Sequence, residues 1–196
     1  MIEKVKEVIQ MSLSNAENVV YEANIPIECL DCSITLLLYD GVNFHIFIFG
    51  DGCFVIVSEN NTRHGMVYYN ANTPFYPSYG LSMESEKSFD KIENNDRYLL
   101  EPFPINSNWK LNIDKKEPYH FSTGSLSIEE FMEVKQILIC TDGLLSFKGI
   151  SLQETLKGVI NNKNTNGEFV TRKVRRFMKD INVVNTDDFT IGGFSI

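Results

Sequence analysis

Basic charge is scarce in this 196-residue sequence: 18 lysines and arginines stand against 26 aspartates and glutamates, a formal net charge of −8. A nucleic-acid-binding surface needs a basic patch to displace counterions from phosphates, so this balance argues against DNA or RNA as a partner. Long apolar runs are missing as well. The one in "FHIFIFG" is far shorter than the roughly 20 residues that cross a bilayer, and "MIEKVKEVIQ" lacks the continuous apolar segment of a secretory leader. No membrane association and a cytoplasmic location are expected. Histidine occurs only as the isolated His45, His64 and His120, and cysteine four times, with Cys29 and Cys32 forming the single C-x-x-C. A structural zinc site needs a second ligand pair of that kind. The thiols are therefore expected to be reduced and mostly buried, with one of Cys29 and Cys32 turned into the core.

What is present suits one domain over residues 1–196. Hydrophobic residues make up 43% of the chain, including 14 phenylalanines, which is enough for a sizeable core. Ile2, Val5, Ile9 and Leu13 recur at helical spacing and predict an amphipathic helix over 2–13. Strands are predicted at 32–39, 43–50, 53–60, 65–71 and 97–103. Asp40-Gly41 between the first two reads as a hairpin turn of type I′. Phe44, Ile46 and Ile48 alternate with His45, Phe47 and Phe49, so the second strand should be covered on both faces. Residues 104–126 carry no regular pattern. Ser127 with Glu130, and Ser151 with Glu154, read as capping boxes that open helices. A third helix follows over 168–181, with Phe169, Val170, Val174, Phe177 and Met178 inward. Residues 187–196 read as a closing strand. Strands first and helices late give an α+β class with mostly antiparallel sheets.

The chemistry-bearing residues sit where strands end. "ILICTDGLLSF" places Asp142 directly after a short buried strand, with Gly143 beside it. Gly50-Asp51-Gly52 joins two apolar runs with no room for a loop, which suggests a kink that turns a carboxylate out of the sheet. Asp187 and Asp188 open the last strand. Each alone reads as a turn or cap residue. Together, Asp51, Asp142 and Asp187 could converge on a hard divalent cation, Mg²⁺ or Mn²⁺.

In this order, "FGDG", "CTDGL" and "TDDFTIGGFSI", with "LDCSITLLLY" ahead of them, resemble the type 2C metal-dependent protein phosphatases. That resemblance implies an α-β-β-α sandwich that hydrolyses phosphoserine and phosphothreonine with water activated by a pair of divalent cations. It implies Asp142 and Asp187 as catalytic metal ligands, Asp51 as a ligand to a third, weaker metal, and Asp188 in a neighbouring polar position. The family's Asp-Gly-x-Gly-Gly, whose aspartate bridges the metals, and the arginine that grips phosphate have no counterpart here. The chain then corresponds to an N-terminally incomplete enzyme, either a fragment or one half completed by another polypeptide, or to an inactive domain that binds a regulatory partner. A third alternative leaves the aspartates purely structural. The substrate implied is a phosphoprotein.

Overall fold

A computed structural model describes residues 2–59, 62–69, 74–92, 97–100, 112–113, 121–127, 134–160 and 169–195. The protein is α+β with antiparallel pairing throughout the described strands. Helix α1 runs Ile2–Glu22, well past the predicted residue 13. Strands β1 (Ile34–Tyr39), β2 (Asn43–Phe49), β3 (Gly52–Ser58) and β4 (Thr62–Tyr69) follow. Helix α2 (Met83–Phe89) comes next, unforeseen, and is capped by Ser82, whose hydroxyl accepts from the Ser85 amide at 3.3 Å. Then come β5 (Arg97–Leu100), β6 (Asn112–Ile113), β7 (Phe121–Ser127), β8 (Val134–Cys140), α3 (Leu152–Ile160), α4 (Phe169–Ile181) and β9 (Ile191–Ser195). One sheet has the order β1-β2-β7-β6 and the other β5-β4-β3-β8-β9. Among the described residues no helix is long and apolar enough to cross a membrane.

The alternation of β2 explains the packing. Phe44, Ile46 and Ile48 face the second sheet and meet Phe54 and Ile56 of β3, Val67 of β4 and Ile137 of β8. The opposite face of β2, Phe47 and Phe49, meets Val5, Ile9 and Leu13 of α1. On the far side of the second sheet, Cys53, Val55 and Met66 pack with Leu156, Val159 and Ile160 of α3 and with Val174, Phe177 and Met178 of α4. Coverage of β2 on both faces is thus as the sequence predicts. The capping box at α3 also forms: the Ser151 amide donates to Glu154 Oε2 at 2.9 Å and the Glu154 amide donates to Ser151 Oγ at 3.3 Å.

Four expectations change. Residues 104–126 are not wholly irregular, because β6 and β7 lie within or across them and β7 pairs with the full length of β2. A doubly covered strand must have both backbone edges hydrogen-bonded, and this tertiary demand recruits the Ser- and Gly-rich "FSTGSLS" despite its weak β propensity. Ser127 is the last residue of β7 rather than a helix cap; the rest of the predicted helix lies in 128–133, outside the described residues. The hairpin at Asp40-Gly41 forms with positive φ at Gly41 alone, the pattern of a II′ rather than a I′ turn. Asp40 Oδ1 accepts the Val42 and Asn43 amides at 2.9 and 2.7 Å. Lastly, β9 begins at Ile191, four residues after the predicted start, because Asp187–Thr190 are held by other bonds.

Candidate metal centre

Register brings the strand-end aspartates together. Ile34 pairs with Phe49, Cys53 with Cys140, and Cys140 with Ile191. The starts of β1, β3 and β9 and the ends of β2 and β8 therefore share one end of the two stacked sheets. A cavity of about 690 Å³ opens there, lined by five carboxylates: Asp31, Asp51, Asp142, Asp187 and Asp188. Every site residue proposed from the sequence is in it. Among the described residues that line it, none is basic.

Each carboxylate has an identifiable cause. Gly50 and Asp51 carry the chain from one sheet to the other, and Gly50 and Gly52 both have positive φ. A Cβ at Gly50 would strike Ser33 Oγ, and one at Gly52 would strike Thr35 Oγ1. Glycine is needed at both positions for conformation and for clearance. Ser33 hydrogen-bonds Asp51 by its hydroxyl and accepts the Asp51 amide at 3.2 Å. Asp31 accepts a hydrogen bond from the buried Ser78 hydroxyl at 2.7 Å.

Asp142 opens a 3₁₀ turn over Asp142–Leu145 at the exit of β8. Thr141 clamps the Asp188 segment against this exit. Its hydroxyl donates to the Asp188 carbonyl at 3.1 Å and accepts the Thr190 amide at 3.0 Å, and its own amide donates to the Thr190 carbonyl at 3.1 Å. Farther along, the Thr186 amide reaches the Ser146 carbonyl at 3.2 Å and the Lys148 amide the Val184 carbonyl at 3.0 Å. Backbone bonds thus hold the segments of Asp142 and Asp187 side by side. Asp187 Oδ1 accepts the Asp188 amide at 2.8 Å, which leaves its other oxygen for the cavity.

The electrostatics follow from crowding. Burial pushes the Asp142 carboxyl up from its ordinary value, and the charges of Asp51 and Asp187 push it further, against the pull of its own and the Gly143 amide. Ionised Asp142 is therefore a cost to the folded chain. Its stabilising contribution is present below the ordinary carboxylate range and is lost as pH rises through the raised value. Asp142→Asn removes that cost. The melting midpoint of the metal-free variant at pH 7 should exceed that of the parent by a small margin, because solvent screens a half-exposed group, and the gap should close toward pH 3, below the ordinary carboxylate range, where Asp142 is protonated in both folded and unfolded chains. Calorimetric scans at the two pH values check this; an equal or lower midpoint at pH 7 refutes it.

Two residues here escape a motif-based reading. Asp31 sits within "LDCSIT" but precedes the strand, and Ser78, 47 residues away in sequence, orients it. Tyr76 lines the cavity, and its phenol is pushed up by burial and then by Asp51, Tyr79, Asp31 and Asp142. It stays a protonated donor among acceptors. The aromatic "TPFYPSY" was the available signal, without a chemical reason to single it out.

The cysteines divide differently from expectation. Cys53 and Cys140 are buried opposite each other, and the Cys53 thiol is pushed well up by its hydrogen bond to Cys140 and by burial. Cys29 and Cys32 are both exposed, so neither turns into the core. The 3₁₀ turn Ile27–Leu30 carries Cys29 outside the sheet, and β1 starts only at Ile34, leaving Cys32 at the cavity rim.

The donor set fits Mg²⁺ or Mn²⁺ in kind, because carboxylate and hydroxyl oxygens suit hard cations. In spacing, no group of three His, Cys, Asp or Glu among the described residues closes on a single ion. Comparison with protein-family models, with curated proteins and with solved structures finds no match to this chain.

Proposed function

We propose that this chain is a type 2C-like, metal-dependent protein serine/threonine phosphatase domain whose cavity holds Mg²⁺ or Mn²⁺ between Asp142 and Asp187, with Asp51 beside a further, weaker site. The observation that carries the reading is the meeting of Asp51, Asp142 and Asp187, chosen from their strand-end positions and motif order, with Asp31 and Asp188 in one cavity free of basic side chains among its described lining. Five carboxylates without a counter-charge repel one another, and divalent cations are the natural compensation. Two cations there would neutralise charge at phosphorus and acidify the attacking water. The chain's own residues would position them: Ser33 orients Asp51, Ser78 orients Asp31, and Thr141 fixes the Asp188 backbone. The helix–sheet–sheet–helix order of the packed clusters supports the α-β-β-α sandwich of that family.

A second reading rests on the same cavity. With no three acidic side chains among the described residues closed on one ion and no basic group in the described lining to grip a phosphoryl dianion, the domain would serve as an inactive binding or regulatory protein. Mn²⁺ titration calorimetry separates the two. The phosphatase reading expects saturable binding in roughly the millimolar range, weakened about tenfold or more by Asp142→Asn or Asp187→Asn. Binding unchanged by both substitutions, or none at all, refutes a metal centre and favours the second reading.

A further inference from the structure

The outer face of α1 carries an organised stripe that its fold does not use. Val5, Ile9, Leu13 and Val20 of this helix are buried. On the other side, Lys4, Val8, Met11, Asn15, Val19 and Glu22 follow at steps of four, three, four, four and three residues, which places them on one face. Val8 is 59%, Met11 65% and Val19 62% exposed. A shallow hollow of about 400 Å³, lined by Glu7, Gln10, Met11, Ser14 and Asn15, flanks the stripe. Between its ends the stripe is apolar apart from Asn15; it is basic at the first turn and acidic at the last.

We infer that this face pairs with the same face of a second copy of the chain, the two α1 helices lying antiparallel about a two-fold axis. A two-fold contact must be self-complementary. Antiparallel pairing centred beside Leu13 sets Lys4 against Glu22 of the second copy at both ends. It also sets Met11 beside Asn15 and brings Val8 to Val19. Parallel pairing would oppose Lys4 to Lys4 and Glu22 to Glu22, so the charge order selects the antiparallel form. The 21-residue helix is about 31 Å long. One helix pair of that length gives an interface at the small end of the specific range, hence a reversible dimer. Because α1 covers the outer face of its sheet, away from the strand ends that line the acidic cavity, the association is independent of the proposed chemistry.

Sedimentation velocity on the full chain, across roughly two decades of micromolar concentration, tests this. The apparent mass should rise from one chain toward two. Met11→Glu, at a position already exposed in the monomer, should hold it at one chain, and Val19→Glu should do the same. Lys4→Glu and Glu22→Lys should each weaken association roughly three- to tenfold, and the double variant should recover most of the loss. A chain monomeric at every concentration, a dimer indifferent to both Met11→Glu and Val19→Glu, or a double variant no tighter than the singles overturns the inference.

Discussion

Alone, the chain is expected to hydrolyse a small phosphate ester with Mn²⁺ very slowly or not at all, and addition of a segment bearing Asp-Gly-x-Gly-Gly is expected to raise the rate by roughly 10³-fold or more. No such stretch occurs in the 196 residues. On the proposed reading Asp142 and Asp187 would supply part of one cation's shell, and no basic residue is among the described lining of the cavity to meet a phosphoryl group. A single, loosely held cation cannot neutralise both the attacking and the leaving oxygen. The fold offers a place for the addition. Among the described strands, β1 and β9 are sheet edges that pair only with β2 and β8 respectively, and both begin at the cavity. An unpaired edge accepts an added strand through its free amides and carbonyls, so a complementing segment could dock there and bring its aspartate to Asp142. Turnover should depend on Mn²⁺ and disappear with Asp142→Asn. Brisk turnover by the chain alone that Asp142→Asn removes would mean that residues already present do the work assigned to the missing ones. No gain from any such segment would favour the inactive, partner-binding domain.

How far the site could be read from sequence depended on the kind of signal. Asp51 was legible because Gly-Asp-Gly between two apolar runs leaves no loop length, and the structure uses that compression to change sheets. Asp142 and Asp187 were legible as carboxylates at strand ends. Their convergence was expected from those positions and the motif order, but the bonds that enforce it were not visible: they join segments some 40 residues apart, the Thr186 amide to the Ser146 carbonyl and the Thr141 hydroxyl to the Asp188 carbonyl. Asp31 was hidden for the same reason: its orienting partner, Ser78, lies in an aromatic connection with no motif of its own. Strand β7 shows the complementary failure. Alternation reveals strands that choose their own conformation, and "FSTGSLS" is a strand because β2 needs a second neighbour.

Gly143→Ala is expected to lower the melting midpoint by roughly 4–10 °C, from an overpacking cost of about 1–3 kcal/mol, and to abolish the Mn²⁺ response of the cavity. The reason is not conformational. Gly143 is absent from the positions of positive φ, so alanine could adopt its backbone. A Cβ there would instead lie 2.0 Å from the Asp188 carbonyl oxygen, 2.7 Å from its carbon and 3.2 Å from Phe189 Cα. These are backbone atoms, and no side-chain rotation relieves the overlap. The Asp187–Phe189 segment must move outward, yet it is tied on both sides of the clash by Thr141, at the Asp188 carbonyl and at Thr190. Moving it breaks those bonds and withdraws Asp187 and Asp188 from the carboxylates of Asp51 and Asp142. The glycine of the Asp-Gly pair is therefore there for clearance: it lets two acidic segments approach to backbone contact. Gly192→Ala is the control, because that residue lines the cavity, likewise has no positive φ and would meet nothing within 4 Å. It should melt within about 1 °C of the parent, the shift of a surface substitution away from any tight contact. Equal midpoints for the two variants would show that the Asp187–Phe189 segment yields freely, and that the closeness of Asp142 and Asp187 does not depend on Gly143.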